Sequence, residues 1–468
     1  MPARRALFIN PPTGNYIRDD RCQVPVENST SVLRAPIDLA YMAAMVEQVG
    51  WEARIVDYPA EGLGWDDFEL DLDVFQPDLL AVSTTTPTLP GDMAACQRAK
   101  ARNPHVLTIA KGAHVTTHDA ETLASHPELD VAIRGECEEL LGELLTTTDR
   151  SSVLGISYRE NGEIRRNADR PRLEQLDSLP WPARHLMNNR LYIRPDTGEP
   201  QTTIQTSRGC PARCIYCLVP TLSGFDTYLR SPGSIVAEMQ HCVTRFGIRN
   251  FYFRADTFTL QKSWTIELCR RIQEARLDVE WVCNSRVDTM DPERAREMRK
   301  AGCWMVGFGV ESGNQEILRH MKKGATLGQA EKAIQACKDV GLKTYLFWVL
   351  GSPWETAETA QETIDFARKL DGDFCEFHIA YPFPGTPLHE ICTEEGLLGE
   401  ERLAGRNVKQ AVSRSYALTA AELKKIQTRA MRSFYLRPSY LARTLRSIDS
   451  PVKLWNYTRR GLQVLTHP

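Results

Sequence analysis

The stretch Thr206–Cys217, TSRGCPARCIYC, carries Cys210, Cys214 and Cys217 at a C-x3-C-x2-C spacing. Three thiols this close on one loop can face a single inorganic centre. Iron–sulfur clusters are held by cysteine thiolates, normally four. Three protein ligands on a four-iron cluster leave one iron open to a small molecule. A structural zinc site needs a fourth ligand, and no nearby Cys or His supplies one at the usual spacing. Of the 13 cysteines, Cys96, Cys242, Cys269, Cys283, Cys303, Cys337, Cys375 and Cys392 stand singly in apolar surroundings. These read as small buried hydrophobes. An odd cysteine count in a long chain also argues against a disulfide framework.

Working outward, the triplet follows the β-rich run TTIQT (202–206). Similar short runs recur at 250–253, 280–284, 304–309, 344–350 and 374–380. Amphipathic stretches such as SIVAEMQHCVTRFG and AEKAIQACKDVG lie between them, the second ending at Gly341, a natural helix C-cap. Strand–helix alternation implies parallel strands joined by right-handed crossovers. Sites in such folds lie at the carboxyl ends of the strands. The triplet directly follows the first strand, as that rule requires.

The spacing, Gly209 before the first cysteine and the aromatic Tyr216 before the last resemble the signature of the radical S-adenosylmethionine (radical SAM) family. The likeness extends over roughly residues 195–395, through Arg254-Ala255-Asp256-Thr257, Asn284-Ser285-Arg286, Gly309-Val310-Glu311-Ser312-Gly313, Gly351-Ser352-Pro353 with Glu355, and Tyr381-Pro382 at the successive strand ends. It implies a partial (β/α)6 barrel, and a 4Fe-4S cluster held by Cys210, Cys214 and Cys217. The open iron of that cluster would chelate S-adenosyl-L-methionine and cleave it to a 5′-deoxyadenosyl radical. Asp256 and Glu311 would accept hydrogen bonds from the SAM ribose or amine, and Ser285 or Arg286 would meet its carboxylate. Tyr216 would place its backbone near the adenine, and Tyr381 would face the substrate. Family members usually carry a Gly-Gly-Glu-like run after the second strand. Here it reads Arg-Ala-Asp.

Residues 1–145 alternate as well. Strands are expected at 6–10, 52–58, 79–86, 106–112 and 130–136, with helical patterns such as LAYMAAMVEQVG and DMAACQRAKARN between them. Five βα units in this length predict a doubly wound Rossmann-like domain with its ligand at the carboxyl edge. That edge offers Asn10, Ser83-Thr84-Thr85-Thr86, Gly112 with His114, and Arg134-Gly135-Glu136. No G-x-G-x-x-G follows the first strand, which argues against NAD or FAD. Such a domain directly before the barrel resembles the cobalamin-binding domain of B12-dependent radical SAM enzymes. In that comparison Ser83, Thr84, Thr85 and Gly112 fall where the cobalamin nucleotide tail is held. No D-x-H-x-x-G run is present, so the resemblance implies cobalamin without a histidine ligand from that motif, or a domain that has lost it.

The 468 residues include 57 Lys+Arg, 60 Asp+Glu, 42% apolar and 25% charged residues. That length makes two to four domains the natural expectation. The net charge of -3 gives no global reason to expect nucleic-acid binding. No apolar run reaches the roughly 18 residues of a spanning helix, and the opening MPARRALFINPPTG is too short for a secretory signal. The expected location is cytoplasmic. Residues 146–194 read as a linker with a hairpin at Asn161-Gly162. Residues 396–468 read as a basic helical region, either packed on the barrel as a cap or approaching a membrane or lipid substrate. Its FYLRP run is similar to the tails of B12 radical SAM enzymes acting on hopanoids or tetrapyrroles.

The fold class is therefore α/β: a Rossmann-like domain (1–145), a linker (146–194), a partial barrel (195–395) and a helical tail (396–468). The function implied is radical functionalisation of an unactivated carbon, with an electron donor such as flavodoxin or ferredoxin and a small-molecule or lipid substrate. Methyl transfer from methylcobalamin and radical ring chemistry both remain open. A methylthiotransferase-like enzyme is the rival, and it fits less well because Cys22, Cys96 and Cys137 are poorly placed for a second cluster.

Overall fold

A computed structural model describes residues 4–19, 22–25, 33–194, 196–399, 411–446 and the single positions 448, 455 and 458. The chain forms two compact units. One is built chiefly from residues up to Leu191 together with Leu218–Tyr228. The other holds Tyr192–Cys217 and most of the chain after Leu229.

The first unit contains a seven-stranded sheet: β1 (Arg5–Asn10), β2 (Glu52–Asp57), β3 (Leu79–Ser83), β4 (Leu107–Lys111), β5 (Val131–Ile133), β6 (Ile156–Glu160) and β7 (Glu163–Arg166). The spatial order is β2-β1-β3-β4-β5-β6-β7. Neighbours from β2 through β5 are parallel, and β6 and β7 add antiparallel. The hairpin read at Asn161-Gly162 thus extends this sheet. β3 and β1 are almost fully buried, as a parallel strand sandwiched between helices must be. The order in which strands are added reverses between β1 and β3. In doubly wound folds of order 2-1-3-4-5 the ligand crevice opens at that point.

The second unit contains six parallel strands in sequential order: β8 (Gln201–Gln205), β9 (Asn250–Arg254), β10 (Glu280–Arg286), β11 (Cys303–Glu311), β12 (Lys343–Leu350) and β13 (Phe374–Ile379). Crossovers of one hand in sequential order place every helix on the same side, and the sheet curls into a partial barrel. Burial along β12 and β13 shows the two faces. Leu346, Trp348, Leu350, Cys375, Phe377 and Ile379 are buried against helices, whereas the alternate residues line the concave lumen half-buried. Stacked Phe253 and Trp281, 4.7 Å between centroids, anchor the outer core. Its helices start at side-chain caps the sequence supplies: Thr326 with Gln329, Thr356 with Thr359, and Thr419 with Glu422.

The C-terminal helix Ala420–Tyr435 packs on the barrel through Leu423, Ile426, Ala430 and Phe434. Its Gln427 donates to Phe377 O at 2.6 Å. This part of the tail is a cap. The run PVKLWNYTRRGLQVL lies almost wholly outside the described residues.

Candidate active site at the strand ends

The cysteine loop leaves β8 and is pinned by its own backbone. Ile215 N–H donates to Met321 O at 3.1 Å, and Leu388 N–H donates to Ile215 O at 2.9 Å. Cys217 N–H closes a turn on Cys214 O. Asp256, at the end of β9, accepts from Gly209 N–H at 2.7 Å. It therefore orients the loop just before Cys210. Cys210 and Cys217 are half-buried and Cys214 is buried.

Polar groups surround the sulfurs. Arg286, the last residue of β10, directs Nη1 at Cys214 Sγ (3.7 Å), and Thr257 Oγ1 lies 3.5 Å from Cys210 Sγ. Arg286 is held in place by Asp288, through Nε and Nη2 at 2.9 Å each, and it donates to Lys323 O at 2.7 Å. The guanidinium places positive charge beside the Cys214 sulfur. Among the described residues no three His, Cys, Asp or Glu side chains converge on a point that would hold a single ion. The thiolates of a four-iron cluster each bind a different iron, so they need no such convergence. The donor set and its cationic neighbour fit an anionic cluster.

Glu311 ends β11 with φ +71°, a left-handed conformation uncommon outside glycine, just where the pairing with β12 shifts register. Its Oε1 accepts from Lys323 Nζ at 2.7 Å, with both side chains under 10% exposed. Burial alone would lower the Lys323 pKa, but the Glu311 carboxylate outweighs it and holds the ammonium charged. Lys323 Nζ also lies 3.5 Å from Tyr216 Oη. Any side chain at Gly309 would run into this pair.

Arg286, Glu311 and Tyr216 are thus brought together around the cysteine loop, joined by Lys323. The sequence signal for Lys323 was the Lys322-Lys323-Gly324 run, which had no role in the sequence reading. Ser285 is instead buried against the hydroxyls of Thr259 and Thr289. Tyr381 is nearly buried and packs on Phe383 at 4.6 Å. Glu355 lies fully buried at the end of β12, accepting from Gly351 N–H and the Thr359 hydroxyl, and burial pushes its carboxyl up to about 7.

In the first unit, Asn10 and Ser83–Thr85 end the two strands that flank the switch point. All four are buried. Among the described residues Asn10 Oδ1 and Arg18 Nη2 have no hydrogen-bond partner. Arg18 reaches into the same edge, donating to Ser83 O at 2.6 Å and pairing with buried Asp92 at 2.6 Å. Thr88 ties Thr85 and Asp92 into this network. Gly112, at φ +123°, packs its backbone on Thr84, where an added Cβ would run into the Thr84 carbonyl. The close approach it permits here is between two strand ends. His114 stacks on His118 at 5.4 Å and bonds Thr86 at 3.2 Å. Burial lowers its pKa to about 4, as does His118, so the ring is neutral. Arg134 is consumed by Asp119, Asp169 and Ser157. Unsatisfied polar groups at a switch-point edge fit a ligand rich in amide and hydroxyl groups, such as the cobalamin tail.

Comparison with known proteins agrees with both units. The radical SAM superfamily pattern matches residues 204–367, and the B12 binding domain matches residues 32–145. An uncharacterized methyltransferase of Pyrococcus horikoshii is 32% identical over 449 residues, covering 95% of each chain. The anaerobic magnesium-protoporphyrin IX monomethyl ester cyclase of Rubrivivax gelatinosus is 28% identical over 366 residues, which is 76% of this chain and 66% of that one. Among solved structures, the radical S-adenosylmethionine methyltransferase TsrM of Kitasatospora setae, with cobalamin and a 4Fe-4S cluster bound, superposes with TM-score 0.73 at 18% identity over 99% of both chains.

Proposed function

Because the chain belongs to the radical SAM superfamily and carries a B12 binding domain, we propose that it is a cobalamin-dependent C-methyltransferase acting on an unactivated carbon of a small molecule. The observation that carries this reading is the grouping of Cys210, Cys214 and Cys217 with Arg286, Glu311 and Lys323 at one end of the barrel. When bound, the cluster with SAM supplies a 5′-deoxyadenosyl radical, and cobalamin supplies the methyl group.

The residues of the chain do the holding. Cys210, Cys214 and Cys217 ligate the cluster, and Arg286 offsets thiolate charge at Cys214. Glu311, fixed by Lys323, presents its carboxylate to the ribose or amine of SAM. Asp256 acts through Gly209 N–H, setting the loop, and Tyr216 flanks the adenine. Asn10 offers its unsatisfied oxygen to the amides of the cobalamin tail. A donor such as flavodoxin or ferredoxin would supply two electrons per methyl transfer, one for SAM cleavage and one to regenerate the methyl carrier. The exposed Leu441 and Leu445, on a helix carrying Arg443 and Arg446, support peripheral lipid contact. Among the described residues no helix is long and apolar enough to cross a membrane.

The test is anaerobic reconstitution followed by incubation with methyl-labelled SAM, a reductant and tetrapyrrole, hopanoid or natural-product precursors. Deoxyadenosine release together with label in the product supports methyl transfer. Deoxyadenosine with an unlabelled, ring-closed product supports the cyclase-like reading, which the Rubrivivax relative favours. Cys214→Ala is expected to lose the brown absorbance and all SAM cleavage. Undiminished cleavage by that variant would overturn the assignment.

A further inference from the structure

The lumen of the second unit carries a feature separate from the cysteine loop and the residues joined by Lys323. Along β12 and β13 the lumen-facing residues include Tyr345, Phe347, Glu376 and His378, all half-buried beside a fully buried opposite face. Half-exposed rings on the concave face leave apolar surface open to a ligand. Their rings form a ladder. Tyr345 and Phe347 stack at 4.6 Å and 27°, and Phe347 and His378 at 6.3 Å and 26°. A run of near-parallel rings offers its last face to another ring, because offset stacking favours continuation of the series.

The ladder also has polar companions. Glu376 Oε2 accepts from Tyr345 Oη at 2.9 Å and lies 3.8 Å from His378 Nε2. Across the lumen, Asn284 Nδ2 donates to Tyr252 Oη at 3.0 Å. Gly307 keeps the wall between them free of a side chain: a Cβ there would collide with Asn284 Oδ1 and sit 2.9 Å from Phe347. A carboxylate, an imidazole and an amide oxygen beside a ring stack are partners for a ring N–H.

We propose that this lumen face is the substrate-recognition site, and that it takes a planar nitrogen-bearing aromatic ring stacked on His378, the last ring of the ladder, beside Glu376. The proposal deepens the methyltransferase reading and rests on it. The adenine of SAM has the same ring chemistry, so the test must separate the two sources.

Indole serves as the probe, with cyclohexanol as the non-aromatic control. Binding to the cluster- and cobalamin-loaded protein is measured without reductant by saturation-transfer NMR and titration calorimetry. Indole is expected to bind and cyclohexanol not to compete. His378→Leu, which keeps volume and loses the ring, is expected to weaken indole about fivefold. Glu376→Gln and Phe347→Leu should weaken it less. The change that SAM makes in the electron paramagnetic resonance spectrum of the reduced cluster should be the same in His378→Leu as in the natural protein. Equal indole affinity in all these proteins overturns the proposal. So does loss of the SAM response in His378→Leu, which would put the ladder beneath the adenine. Failure to cleave SAM would sink the methyltransferase reading and leave the indole result to be judged separately.

Discussion

Lys323 and Glu355 are two buried charges with opposite consequences. Removing one partner of a buried ion pair strands the other, at a cost of about 3–5 kcal/mol. Lys323→Met is therefore expected to lower stability by about that amount in urea unfolding. Adding Glu311→Gln to it should restore part of the loss, since the two groups are coupled. Glu311 was legible from its place at a strand end. Lys323 was not, because Lys322 and Lys323 are equivalent in sequence, and only the fold turns one outward and the other to 5% exposure. Glu355 is buried with no cation beside it among the described residues, and burial raises its carboxyl from 4.5 to about 7. Below pH 4.5 the folded and unfolded chains both carry its proton and its contribution is fully present. As pH rises toward 7 the folded protein keeps a proton the unfolded chain has released, so stability falls, by about 1.4 kcal/mol per pH unit at most. Glu355→Gln should flatten that decline by about 3 kcal/mol between pH 4.5 and 7.5, read from urea midpoints at several pH values.

Strand ends depend on backbone fit as much as on side chains. Gly112→Ala combines a left-handed φ with a collision at the Thr84 carbonyl, and neither strand end can retreat without breaking the hydrogen bond from Thr84 N–H to Lys111 O (2.6 Å). A loss of roughly 3 kcal/mol or more is expected, with weaker hydroxocobalamin binding by absorbance titration. The strands themselves were readable, because the unbroken apolar runs in β1, β3 and β12 are local signals. Strand β11 was expected to stop at Gly309, yet it runs to Glu311. The register shift there is set by pairing with β12, which local sequence does not encode. The partner of the 156–166 hairpin was hidden for the same reason, since edge pairing is a long-range choice.

At the scale of the whole chain, the two-part plan was visible in the alternation of strands and helices. Its boundary was not: Leu218–Tyr228 follows the cysteine loop in sequence yet belongs to the first unit. Such a return depends on packing between segments far apart in the chain. The thiols are distributed just as unevenly. Nine of the described cysteines outside the triplet are buried, and burial pushes Cys392 up to about 11 and Cys96, Cys269 and Cys337 higher still. Cys210 and Cys217 are the described cysteines that reach the surface. Brief iodoacetamide treatment of cluster-free protein, followed by peptide mass mapping, should mark those two and spare the nine. Tarnish in air would then stay at the mouth of the barrel while the scaffold keeps its shape. A bleached preparation would regain colour with iron, sulfide and a reducing thiol, without being unfolded first.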